Sequence, residues 1–210
     1  MRILITAGGT REYIDPVRFI SNASSGKMGY ALAKAAIKAG HRVTMITTVE
    51  KSNFKFQISN FKLIIVQTAA QMFETVKKNF EKCDCLIMAA AVADYTPARP
   101  AKTKIRKTNK SLTIKLELTA DILKWAGIHK KKNQVVVGFA LEDRNVRARA
   151  EKKLKEKNLD MIIANTPGTI GSDKTTAHIK TAESNWTKIE DSTKSATAGS
   201  IIRMVEKIRM

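Results

Sequence analysis

The chain has 210 residues, 43% of them hydrophobic, which is enough for one domain with a full core and supplies no membrane span, the longest apolar run being residues 86–93. Its 38 basic against 19 acidic residues give a formal charge of +19, but only Lys130, Lys131 and Lys132 form a run of three, and few aromatic residues sit among the lysines to stack bases. Such scattered charge fits a solvated surface or a small anionic ligand better than nucleic acid, and a start without charged leader or cleavage site fits a cytoplasmic protein.

Residues 2–6 form a β-branched run that stops at Ala7-Gly8-Gly9-Thr10, a strand followed by a tight turn. A dinucleotide fingerprint would start a helix here at once, but residues 11–23 intervene. Residues 18–29 then pack polar side chains, two glycines and a helix start together. Ser24 or Ser25 is expected to cap that helix, while Gly26 and Gly29 allow a ligand or strand to approach the backbone. This stretch reads either as an anion site, served by unpaired N–H donors and the helix dipole, or as an ordinary capped helix.

From Met28 the positions Leu32, Ala35, Ala36 and Ala39 recur at helical spacing, Gly40 supplies a stop, and residues 43–48 resume a strand. Residues 63–66 read as the next strand, and Met72, Phe73, Val76 and Phe80 as one helix face. Residues 85–92 are uniformly apolar, as a central strand covered on both faces requires, and end at Asp94. Ligands of open α/β sheets collect at such strand ends, so Asp94 is a candidate site residue or simply a turn former. Cys83 and Cys85, two apart, suit neither a disulfide framework nor a zinc site; they read as buried, inert thiols on opposite sheet faces.

Between residues 101 and 118 the pattern changes to a basic loop, Lys102-Thr103-Lys104-Ile105-Arg106-Lys107, then residues 112–118 alternating with period two. The alternation predicts a hairpin with the basic arm, projecting from the sheet. The loop's four cations are either a solvated face or a clamp over phosphates.

Residues 121–130 read as a helix whose first turn Asp121 can serve, 134–140 as a strand, and Val146, Ala150 and Leu154 as a highly charged helix. Residues 161–164 make a sixth strand. A closing hairpin is expected from residues 178–181 and 186–189, and a last helix from Ile201, Val205 and Ile208. The plan is a Rossmann-like, mostly parallel sheet with helices on both faces, one domain over residues 1–210, plus the projecting and C-terminal hairpins. The three histidines lie far apart, no nucleophile pairs with a base, and no metal-ligand spacing occurs. Chemistry must then rest on positioning and charge.

Thr6-Ala7-Gly8-Gly9-Thr10-Arg11-Glu12, Ile14-Asp15-Pro16-Val17-Arg18-Phe19-Ile20-Ser21-Asn22 and Ser24-Ser25-Gly26-Lys27-Met28-Gly29 closely resemble the opening of bacterial phosphopantothenate–cysteine ligase, an enzyme of coenzyme A biosynthesis. Residues 89–95, 104–107, 137–140 and 153–160 match further motifs in the same order. The resemblance implies that CTP activates the carboxylate of 4′-phosphopantothenate as an acyl-cytidylate, releasing pyrophosphate, and that L-cysteine then displaces CMP. Two polyanions must be brought together, so cations and backbone donors carry the work.

By that resemblance Asn22 holds the acyl-cytidylate, Arg18 helps set the phosphopantothenate pocket with Ser24, Ser25 and Gly26, and Lys104 stabilises charge during activation. Met88, Ala89, Ala90, Asp94, Asp121, Ile122, Phe139, Lys153 and Lys157 fall on nucleotide contacts; Lys153 and Lys157, four apart, share one helix face. Arg106 stands where the family commonly has lysine, and Thr119-Ala120 where it has Asn-Pro. Mg is expected with CTP, its protein ligands unassigned, and a homodimer is expected. In many bacteria this domain follows a flavin-dependent decarboxylase; the start at the first ligase strand implies no FMN here. The alternatives are a nicotinamide-dependent oxidoreductase, with Glu50 as the only acid near the end of the second strand to hold a ribose, and a basic nucleic-acid-binding module.

Overall fold

The computed structural model describes residues 1–49, 59–169 and 171–209; Glu50 lies outside them. In chain order the first elements are β1 (Arg2–Ala7), β2 (Arg11–Tyr13), β3 (Phe19–Ser21), α1 (Lys27–Lys38), β4 (Arg42–Thr47), β5 (Phe61–Ile65) and α2 (Ala69–Phe80). There follow β6 (Cys85–Met88), β7 (Tyr95–Pro97), β8 (Leu116–Leu118), α3 (Ile122–His129), β9 (Val135–Leu141), α4 (Val146–Glu156) and β10 (Met161–Asn165). The chain closes with β11 (Lys174–Thr181), β12 (Thr187–Thr193) and α5 (Lys194–Arg209).

Eight strands make the main sheet in the order β12-β11-β10-β9-β6-β1-β4-β5. The six from β5 to β10 are parallel, and β11 and β12 add an antiparallel hairpin at one edge. Strand order therefore reverses between β1 and β6, the doubly wound arrangement in which the crevice outside the carboxyl ends of those two strands is left open. β-branched and aliphatic runs fill both faces of the central strands because those strands are covered twice. Ile3 and Ile5 of β1 join Val43, Met45, Ile87 and Val137 beneath α1 and α5, which contribute Leu32, Ala36, Ile201 and Val205. Leu4, one residue out of phase, points to the other layer with Leu86, Val136 and Ile162, under Met72, Val76 and Phe80 of α2, Leu123 of α3 and Leu154 of α4.

The helix ends follow local chemistry. A Thr68–Gln71 capping box starts α2, Asp121 accepts from Lys124 N at 2.9 Å to cap α3, and Gly40, at φ +80°, follows α1. Cys83 and Cys85 are free, buried and assigned to opposite layers as expected, although Cys83 precedes the strand; burial drives both thiol pKa values up, to about 12 for Cys83.

Three expectations are corrected. The apolar run 85–92 is strand only to Met88; beyond it Ala90 N donates to Thr6 Oγ1 (3.2 Å), Ala91 N to Gly8 O (2.9 Å) and Ala93 N to Thr10 Oγ1 (3.0 Å). Hydroxyls and the Gly8 carbonyl thus replace the ladder, and the small alanines let the backbone fold across the end of the sheet. The projecting hairpin also differs: only residues 116–118 are strand, and they pair antiparallel with β7, not with the basic arm. Four cations in six residues repel one another along an extended strand, whereas Tyr95, Thr96 and Pro97 offer a neutral partner. Finally, the intervening residues 11–23 contain a hairpin of their own, β2–β3, in which Tyr13 meets Phe19 edge-on at 5.6 Å and Arg11 lies 5.1 Å from the Phe19 ring centroid.

Candidate active site

A cavity of about 760 Å³ opens at the carboxyl edge of the sheet, beside the β1–β6 switch point. One wall is the stretch from Asn22 through the first turn of α1. Gly26, at φ +73°, precedes that helix in the left-handed region, and no side chain caps the first turn, so the expected cap by Ser24 or Ser25 is not made. A left-handed Gly26 turns the chain into the helix where a serine cap would need an extended backbone. Ser24, Ser25, Lys27, Met28 and Gly29 line the cavity instead, next to first-turn donors that no cap consumes.

Asn22 bridges this wall to the next: its Nδ2 donates to Ala91 O (3.3 Å) and Val92 O (3.2 Å). That second wall is Met88, Ala89, Ala90, Ala91, Val92 and Asp94, the segment bent away from the sheet. Thr119 fastens it, Oγ1 to Ala93 O at 2.6 Å and N to Asp94 O at 2.9 Å, and so serves as a backbone latch.

The third wall carries the charge. Lys153, in the last turn of α4, and Lys157, just after it, line the cavity together with Phe139 of β9. Lys153 Nζ donates to Phe139 O at 2.9 Å; burial, reinforced by the neighbouring Lys157 charge, lowers its pKa from the ordinary lysine value. Lys157 pairs with Asp121 at 2.7 Å. Burial pushes the Asp121 carboxyl up, but the Lys157 contact and the Lys124 N–H outweigh it and hold the pKa low. Ile122 is buried beneath the same wall.

The structure thus brings together Asn22, Ser24, Ser25, Gly26, Met88, Ala89, Ala90, Asp94, Asp121, Ile122, Phe139, Lys153 and Lys157. Arg18 and Lys104 lie outside the cavity. Arg18 forms an ion pair with Asp15 at 2.5 Å, and Lys104 is exposed on the basic loop. Lys27, Asn165, Leu118 and Lys194 line the cavity without having been singled out from sequence as ligand contacts. Lys27 Nζ reaches Asp173 at 2.7 Å, and Lys194 Nζ donates to Ser172 O. Lys27 sits inside a motif that drew notice for its glycines and serines; Lys194, at the start of the last helix, has no local signal to mark it. With four lysines against two aspartates on its walls, the cavity is built for an anion. Among the described residues no group of three or more His, Cys, Asp or Glu is placed to hold a metal, and no helix is long and apolar enough to cross a membrane.

Sheet order and cavity define a doubly wound α/β domain with a lysine-lined cavity at its switch point. The chain belongs to the DNA/pantothenate metabolism flavoprotein C-terminal domain family, whose model matches residues 1–208. It is 47% identical over 163 residues to the coenzyme A biosynthesis bifunctional protein CoaBC of Bacillus subtilis, a match covering 78% of this chain and 39% of that protein. It is 43% identical over 211 residues to a cysteine/cysteine sulfinic acid decarboxylase of an unknown prokaryote, covering 97% of this chain and 57% of that one. The crystal structure of the C-terminal domain of a CoaBC protein superposes with a TM-score of 0.81 at 36% identity, covering 99% of this chain and 94% of that one. The chain therefore spans about half the length of the curated relatives it matches.

Proposed function

We propose that the chain is a ligase that joins 4′-phosphopantothenate to L-cysteine after activation by CTP. The observation that carries this reading is the meeting, in one cavity, of Asn22 and the uncapped first turn of α1 with the Lys153–Lys157 pair across a strand-end crevice. The match to the C-terminal domain of CoaBC supports it. A carboxylate oxygen of phosphopantothenate attacks the α-phosphorus of CTP, the α–β bond breaks and pyrophosphate leaves; the cysteine amine then attacks the acyl carbon, loses a proton and expels CMP. Neither step needs a side-chain nucleophile, in keeping with a site made of lysines, amide donors and an asparagine.

Lys153 and Lys157 receive the nucleotide with Met88, Ala89, Ala90, Asp121, Ile122 and Phe139. Asn22, Ser24, Ser25 and Gly26 hold the acyl end. Mg would arrive with the triphosphate and keep mostly phosphate and water ligands, which suits a wall whose two aspartates are Asp94 and an Asp121 already engaged by Lys157.

Arg18 and Lys104 complete the site through a homodimer in this reading. Support comes from the apolar surface beside them: Val17, Phe19, Tyr95, Leu112, Leu116 and Leu118 are all exposed on the two small hairpins and their loops, Leu118 by 74%. The whole is placed in the cytoplasm. Incubation with Mg-CTP, 4′-phosphopantothenate and cysteine, beside ATP and nucleotide-free arms, should release pyrophosphate and CMP with CTP. No CMP in the CTP arm rejects the reading.

A further inference from the structure

Asp15 is the most fully engaged carboxylate among the described residues, yet it lies outside the cavity. Its side chain is fully shielded from solvent. Oδ1 accepts from the backbone N–H groups of Val17 and Arg18, both at 2.8 Å; Oδ2 accepts from Arg18 Nε (2.9 Å), Arg18 Nη2 (2.5 Å) and, ninety residues away in sequence, Ile105 N (3.1 Å). The same Arg18 Nη2 donates to Ile105 O at 2.7 Å. Both backbone polar atoms of Ile105 are therefore gripped by the Asp15–Arg18 pair, and Ala101 N donates to Ile14 O at 2.8 Å just upstream. Burial alone would raise the carboxyl pKa, but the Arg18 contact and the three backbone donors hold it well below the usual carboxylate range, so the grip is ionised throughout the physiological range.

The loop so held is the basic one. Residues 102–107 form no helix or strand, and their charged side chains are exposed. A lysine on an untethered loop would sample many positions, whereas here the residue next to Lys104 is fixed at two atoms. We propose that Asp15 is a positioning residue for the ligation reaction: by clamping Ile105 together with Arg18, it sets where Lys104 and Arg18 are presented to the substrates. This rests on the reading of Lys104 and Arg18 as substrate contacts. The β2–β3 turn then acts as a bracket for a loop that sequence reading pairs with a different strand.

The test compares the full-length wild type with Asp15→Asn, Lys104→Ala and the double variant, scoring tryptic cleavage after Lys102, Lys104, Arg106 and Lys107 as well as pyrophosphate and CMP release. Asparagine keeps the size but loses the charge, one acceptor and the paired grip on Arg18. Loop cleavage should then speed up about fivefold and pyrophosphate release fall about tenfold. If Asp15 acts through Lys104, the double variant should be little slower than Lys104→Ala alone. Unchanged cleavage, or losses that simply multiply, would overturn the proposal.

Should Asp15→Asn fail to fold, Asp15→Glu keeps the charge but lengthens the side chain by one methylene, so that the Val17, Arg18 and Ile105 amides can no longer all be met, and the same outcomes are read from it. If the wild type releases no pyrophosphate at all, the ligase reading fails by itself, and cleavage still judges the clamp. Faster cleavage with undiminished turnover keeps the clamp but removes its part in the reaction.

Discussion

Lys153 is held as a cation in a place that disfavours cations. Burial and the Lys157 charge depress its pKa, so on the alkaline side the folded chain gives up this proton before the unfolded chain does. Between the depressed value and the ordinary 10.5, stability rises with pH while attraction for a polyanion falls. The dissociation constant for CTP should accordingly climb with pH from below the ordinary lysine range, and Lys153→Met should weaken binding by about 2 kcal/mol at neutral pH. Isothermal titration between pH 7 and 10 reads both; a limb centred on the ordinary lysine value would count against this assignment. Asn22→Asp probes the opposite wall. Aspartate cannot donate to the Ala91 and Val92 carbonyls and places a charge beside them. Pyrophosphate release should outlast amide formation in this variant, and equal loss of both steps would remove the intermediate-holding role.

Close approach between elements sets the cavity's shape. A Cβ at Gly29 would lie 2.4 Å from Ala7 Cβ and 3.2 Å from Thr6 O, so α1 can begin where it does only because its third residue has no side chain. Gly29→Ala should therefore cost about 2 kcal/mol by overpacking and push the first turn away from the sheet end. Calorimetric melting gives the first effect and CTP titration the second; a variant as stable and as tight-binding as wild type would show that the junction can shift freely. At the far end of the strands, Asp84 fastens β1 and α5 beside β6. It accepts from Arg2 N at 2.7 Å, Arg2 Nη2 at 3.3 Å and Arg209 Nη2 at 3.4 Å. Burial alone would raise its pKa, but the Arg2 and Arg209 contacts outweigh that effect, and the net value lies below the ordinary 3.8. A depressed carboxyl stabilises the fold above the unfolded value and loses that contribution as pH falls through the folded one. Asp84→Asn should cost about 1 kcal/mol at pH 7, a difference that shrinks as denaturation is repeated below pH 4.

Taken as a whole, the molecule is asymmetric in its exposed surface. Lysines are dispersed over the helices, while large apolar side chains gather on the small sheets β2–β3 and β7–β8. An exposed cluster of this kind is the surface through which the proposed homodimer would form. Sedimentation should give a dimer for the wild type and a monomer for a Phe19→Asp, Leu118→Asp double variant, with thermal stability of the monomer little changed. A wild-type monomer at all accessible concentrations would remove the dimer from the reading.

Periodicity and punctuation along the chain were sufficient for the strand–helix alternation, the two apolar layers and the edge hairpin, because burial on one or both faces imprints a local spacing that any window of residues displays. Most of the motif residues line one cavity, whereas Arg18 and Lys104, picked out by the same motifs, lie outside it. Partner choice was not legible in the sequence. The period-two stretch at 112–118 looks the same whether it pairs with the basic arm or with Tyr95–Pro97, and the apolar run after Met88 looks like more strand until Thr6 and Thr10 are seen to take its amide hydrogens. Asp15 stands in the sequence only as one member of a motif; its grip on Ile105 exists only once segments ninety residues apart meet. Hydrogen-bond partners and close contacts between distant segments are fixed by register and three-dimensional packing, which leave no periodic trace in either segment alone.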